Sequence, residues 1–144
     1  MQDFRNLKVW EKAHGLTLMV YRATTGFPKS EMYGLASQMR SSSASIATNI
    51  AEGCGRGSHP DFARFLQMAM GSVSETDYQL LLAHDLGYLG QEDYSRMNGQ
   101  VIEIKRMLST LILKIRGQES GKYRIAEQLE FTPEDLEWLN RNTL

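Results

Sequence analysis

Apolar residues recur three and four positions apart along most of the chain. Val9, Ala13, Leu16, Val20 and Ala23 form a first stripe, flanked by Trp10, Leu18 and Tyr21. Met32, Leu35, Met39, Ile46 and Ile50 form a second, with Ser43 standing at the missing turn. The third is Phe62, Leu66, Ala69, Val73, Thr76, Leu80 and Ala83; the fourth is Tyr94, Met97, Val101, Ile104, Leu108, Leu111 and Ile115. Such spacing is the core-facing stripe of an amphipathic helix, and no segment sustains the alternation of a strand. The pattern predicts an all-α fold of four helices.

The breaks between stripes agree with that reading. GFPKS at 26–30 separates the first two helices, with Ser30 expected as an N-cap. Gly53 is expected to end the second helix in a left-handed conformation. Ser58-His59-Pro60-Asp61 fits a capping box, with Pro60 in the first turn, where a missing N–H costs little. GYLGQ at 87–91 precedes a fourth helix over roughly 91–116, about 39 Å long at the usual helical rise. Connections this short force antiparallel neighbours, so residues 1–117 are expected to form an up-down-up-down four-helix bundle. After Gly117 the periodicity lapses. Residues 118–144 read as a C-terminal extension, with Thr132 and Pro133 set to start a short helix that Trp138 and Leu139 would anchor.

Composition narrows the function classes. A chain of 144 residues is most economically one domain. Its formal charge of −1 divides unevenly: residues 1–117 hold 13 basic and 11 acidic side chains, residues 118–144 hold 3 and 6. Neither part carries the strong excess of cations that non-specific phosphate binding needs. A single cysteine, Cys54, excludes an intrachain disulfide and a four-cysteine zinc site. No apolar run is long enough for a membrane span, and the N-terminus lacks a signal-peptide core, so a cytoplasmic location is expected.

Candidate chemistry is sparse. Gly53-Cys-Gly-Arg-Gly-Ser58 superficially resembles a phosphate loop. Such a loop works between a strand and a helix, and here the preceding residues are helical with no Gly-Lys-Ser/Thr to follow. A four-helix bundle also invites a di-iron site, but Glu11-Lys-Ala-His14 is the one Glu-x-x-His match and a second is lacking. No motif around Cys54, the serines or the histidines marks an activated nucleophile. A non-enzymatic protein without metal or cofactor is therefore expected.

Helix two carries the more informative signal. Gln38, Ser42, Ser45, Asn49 and Glu52 make a polar stripe, and Ser72, Glu75 and Gln79 a matching strip on helix three. Beside the first lie Arg40 and a narrow ridge of small residues, Ala44, Ala47 and Ala51. Solvated faces usually carry long charged side chains, whereas small ones let another backbone approach. A helix–helix contact within or between subunits is expected, with Arg40, Asn49, Glu52 and Glu75 as a hydrogen-bonded cluster. Lys105, Arg106, Lys114 and Arg116 crowd the end of helix four, where they suit the helix dipole and are candidates for nucleic-acid contact.

These residues also carry a family likeness. Leu7-Lys-Val-Trp10, Tyr21…Thr24…Phe27-Pro28, Glu31-x-Tyr-Gly-Leu35, Ser37-Gln-Met-Arg40 and Ser45-Ile-x-x-Asn49-Ile-Ala-Glu-Gly53 recur in order. With Arg56-x-Ser58, Phe62…Phe65-Leu66 and Ala69-x-Gly71-Ser72-x-x-Glu75, they resemble the small bacterial proteins of 23S rRNA intervening sequences. That resemblance spans about residues 4–116. It implies a left-handed antiparallel bundle assembling into a ring, typically a homopentamer, of unsettled biochemical role. The related accessory proteins of diversity-generating retroelements bind reverse transcriptase and nucleic acid through strongly basic surfaces. Here Ser41 stands where many members carry a second arginine, and the charge is near zero. The expected function is a homo-oligomeric scaffold or adaptor. The alternative is an RNA- or single-stranded-DNA-binding accessory acting with ribosomal RNA or a reverse transcriptase.

Overall fold

A computed structural model describes residues 3–120, with side chains through Gly117. The expected extension over 118–144, its short helix and its Trp138–Leu139 anchor lie outside the described residues, save that α4 continues to Ser120. A 3-10 turn at Phe4–Asn6, capped by the Asp3 carboxylate, leads into α1 (Lys8–Thr24). A second 3-10 turn at Lys29–Glu31 precedes α2 (Leu35–Cys54); α3 (His59–Asp85) and α4 (Gln91–Ser120) follow. Among the described residues the fold is all-α, with no strand.

Neighbouring helices are antiparallel, as pairs of contacts along each seam require. Thr24 meets Arg40 while Thr17 meets Ser43 on α1–α2. Ser42 meets Gln79 while Gly53 abuts Phe62 and Phe65 on α2–α3. His84 stacks on Tyr94 while Lys105 pairs with Asp77 on α3–α4. Lys12 pairs with Glu103 on α1–α4, closing an up-down-up-down ring. Diagonal helices make no close backbone approach among the described residues.

The core follows the four stripes. Every position of the third stripe is buried, including Thr76, whose hydroxyl returns to the Ser72 carbonyl or turns to Ser42. The fourth is buried from Met97 to Ile115, with Tyr94 half-buried at its start. Met32 departs from the second stripe: it precedes α2 and is exposed.

Two expected boundaries are corrected. Ser30 does not cap α2; it sits in the 3-10 turn, and the helix starts four residues after Glu31, whose carboxylate accepts from the Leu35 N–H at 3.0 Å. Gly53 does not stop α2 in a left-handed conformation. It is helical and buried, and a Cβ there would lie 3.0 Å from the Phe65 Cβ and 3.4 Å from the Phe62 ring. Its role is to let α3 close on α2. The left-handed residue of this connection is Gly57, at φ 79°. Ser58 caps α3 as expected, accepting from the Asp61 N–H, with Pro60 in the first turn.

Candidate interaction surface

The polar stripe and the alanine ridge of α2 look toward different neighbours. Residues 42, 49 and 53 turn toward α3, whereas 40, 44, 47 and 51 turn toward α1, because each helical residue rotates about 100°. The predicted cluster of Arg40, Asn49, Glu52 and Glu75 is accordingly not brought together. Arg40 reaches back to α1, where Nε donates to Thr24 Oγ1 at 2.8 Å and the guanidinium lies over the Tyr21 ring at 5.0 Å. Asn49 donates to the Ser45 carbonyl of its own helix, and Ser45 donates to the Ser41 carbonyl. Gln38 and Glu52 are exposed, and Ser72 is half-buried and supplies the carbonyl at 2.9 Å from Thr76 Oγ1.

A polar cluster does bridge α2 and α3, around partly different residues. Ser42 Oγ lies 2.9 Å from Thr76 Oγ1 and donates to Gln79 Oε1 at 2.6 Å; Gln79 Nε2 donates to Glu75 Oε1 at 3.4 Å. The carboxylate accepts only, which fixes the Gln79 amide with its nitrogen toward Glu75. With the Ser42 proton committed to Gln79, the single Thr76 proton lies between two acceptors, Ser42 Oγ and the Ser72 carbonyl, each at 2.9 Å. The relay therefore links Thr76, Ser42, Gln79 and Glu75, from a fully buried hydroxyl to an exposed carboxylate. Ser42 and Gln79 belonged to the stripes read from sequence; Thr76 stood among the apolar positions, and the signal for its role was its hydroxyl at a core position.

The ridge opens a groove. Ala44, Ala47, Thr48, Ala51 and Glu52 form one side, and Phe4, Trp10, His14 and Thr17 the other, around about 390 Å³. Phe4 sits edge-on to Trp10 at 4.9 Å, and His14 stacks on Trp10 at 5.1 Å, so the aromatic wall is braced from both ends. Alanines leave the depth that longer chains would fill.

Along the middle of the outer face of α2, Ser45, Thr48 and Asn49 are short and bound to their own helix. Thr48 Oγ1 donates to the Ala44 carbonyl at 2.9 Å, as Ser45 and Asn49 do one turn back. Exposed Met68 and Tyr78 stand on α3.

The four basic candidates on α4 do not share one face. Lys105 Nζ is 2.7 Å from Asp77 Oδ2, and Lys114 is 5% exposed, where burial holds its pKa below the ordinary lysine value. Arg106 and Arg116 are exposed. Arg56, in the former phosphate-loop candidate, stacks on the Phe65 ring at 4.7 Å. Cys54 is buried, and its thiol is pushed up to about 11 by burial and then by the Asp3 carboxylate. No helix among the described residues is long and apolar enough to cross a membrane.

Residues 5–110 match the family model for the 23S rRNA-intervening sequence protein. The fold is similar to a crystal structure from Bacteroides thetaiotaomicron, a protein of unknown function from the S23 ribosomal protein family. The TM-score is 0.67 at 26% identity, covering 72% of this chain and 94% of that one. No curated protein matches.

Proposed function

The chain belongs to the 23S rRNA-intervening sequence protein family, and from that premise we propose that it is a non-enzymatic, self-associating scaffold or adaptor. The observation that carries this reading is the outer face of α2 between Ser37 and Glu52. The Ser45 and Thr48 hydroxyls and the Asn49 amide donate to carbonyls of their own helix, and the one long cation, Arg40, is tied to α1. Burying polar groups that already hold partners costs far less than burying unpaired ones. A flat, short-chained face with exposed Met68 beside it fits a second copy of the chain. A ring of five is the arrangement that the family likeness supplies.

Light scattering on the full chain tests this. A discrete oligomer is expected, and Ser45→Arg is expected to dissociate it with helical content unchanged. A wild-type monomer at high concentration would overturn the reading. The nucleic-acid alternative draws less support, since Lys105 is engaged by Asp77 and Lys114 is buried. Retardation of structured RNA or single-stranded DNA at low salt, lost as salt rises, would restore it.

A further inference from the structure

We propose that the groove between α1 and α2 is the seat of this chain's own residues 131–139. This goes beyond self-association through the outer face of α2 and does not depend on it. The groove is an apolar trough with an aromatic wall at Phe4 and Trp10 and a floor of Ala44, Ala47 and Ala51. Its occupant needs several large apolar side chains within a short span. In 121–144 two nine-residue windows meet it, 123–131 and 131–139. The first follows Ser120 by three residues, about 10 Å of chain and no more than the width of α1. The second, with Phe131, Leu136, Trp138 and Leu139, is therefore the one whose tether can cross.

The course of α4 brings that segment to the right end of the bundle. Asp93, Arg96 and Met97 face Arg22 and Ala23, and Glu103 faces Lys12, so α4 descends toward the start of α1. It ends at Ser120, past that start, at the pole where Phe4 and Trp10 stand. Ten residues, 121–130, then separate it from Phe131 and span up to about 33 Å of extended chain. The groove lies one seam away, and its lower lip at Glu52 is less than one turn from the end of α2, within that reach. A tether of this length holds the segment at millimolar-range effective concentration, ahead of any free partner of similar affinity. The segment also lies beyond residues 5–110 that match the family model.

The two tryptophans allow a direct test in the full chain. Trp138→Phe leaves Trp10 as the sole tryptophan. In that background, adding Phe131→Asp and Leu139→Asp is expected to raise acrylamide quenching of Trp10 at least twofold, with helical circular dichroism retained. Unchanged quenching would overturn the proposal. A second measurement places the segment: Thr48→Cys with Leu139→Cys, in a Cys54→Ala background, is expected to form a disulfide within one chain under mild oxidation. Cross-linking only between chains, or none, would overturn it. Failure here is distinguishable from failure of the scaffold reading, because Ser45→Arg should break the oligomer without changing Trp10 quenching.

Discussion

The two seams of α2 use the same small residues to opposite ends. Toward α3, smallness is consumed: Gly53 admits Phe62 and Phe65, and Ser42 locks into a relay with Thr76 and Gln79. Toward α1, smallness is left over. Arg40 and Thr17 tie the helices at 2.8 Å and 3.0 Å, but below Thr17 the alanines face open volume. A short side chain is therefore not a packing signal by itself. Whether it closes a seam or opens a groove depends on the bulk opposite, which is a phenylalanine pair on one side and a wall held back by Trp10 on the other.

The sharpest way to break this contrast is to add the same bulk to both seams. Gly53→Leu should cost about 3 kcal/mol or more, because even a Cβ there lies 3.0 Å from the Phe65 Cβ and a longer side chain must push α3 away. Ala51→Leu, pointing into the groove, meets no helix of the bundle and displaces at most the seated segment 131–139, so it should cost no more than about 1 kcal/mol. Urea titration of both variants reads the difference, and equal costs would erase the distinction between the seams.

A smaller effect is expected from removing one hydroxyl on each side. Ser42→Val strands the buried Gln79 carbonyl and should cost about 2 kcal/mol. Thr17→Val loses a half-buried bond to Ser43 and should cost about 0.5–1 kcal/mol. A double-mutant cycle of Ser42→Ala with Gln79→Leu should show coupling, and additivity would dissolve the relay.

The smallest effect at neutral pH concerns Cys54, at the closed end of the α2–α3 seam. Its folded-state pKa of about 11 lies above the ordinary thiol value, so the folded state holds the proton more tightly than the unfolded one. Stability from this group is full below about pH 9 and falls as pH rises toward 11. Thermal melts across that window should show a shallower alkaline decline in Cys54→Ala. At pH 8 the thiol should react with a disulfide reagent at least tenfold more slowly than in urea.

Much of this arrangement was legible beforehand, and particular residues show where legibility ended. Thr76 was placed in the core by its four-then-three spacing alone, against its polarity, and it is fully buried. Spacing reports which way a residue faces and is indifferent to what it is. Gly53 shows the converse. A glycine near the end of a helical pattern serves equally as a left-handed stop or as a missing Cβ, and only Phe62 and Phe65, across the turn, decide between them. Arg40 and Asn49 could have been separated on paper. Nine residues at about 100° each put them on opposite sides of the helix. Their union rested on both lying beside small residues, which says nothing of direction. The start of α2 was obscured because Glu31, not Ser30, supplies the oxygen for its first free N–H, through a turn that periodicity does not register.

The tying of Arg40 to Thr24 and Tyr21 has an electrical consequence. From Ser37 to Ala51, α2 offers the solvent no mobile charge, so contact made through that face has almost no Coulombic term for ions to screen. Its strength would come from displaced water, whose release is entropic near room temperature. An assembly held this way should ignore a change from 50 mM to 500 mM salt. It should loosen on cooling, as a seam held by ion pairs would not.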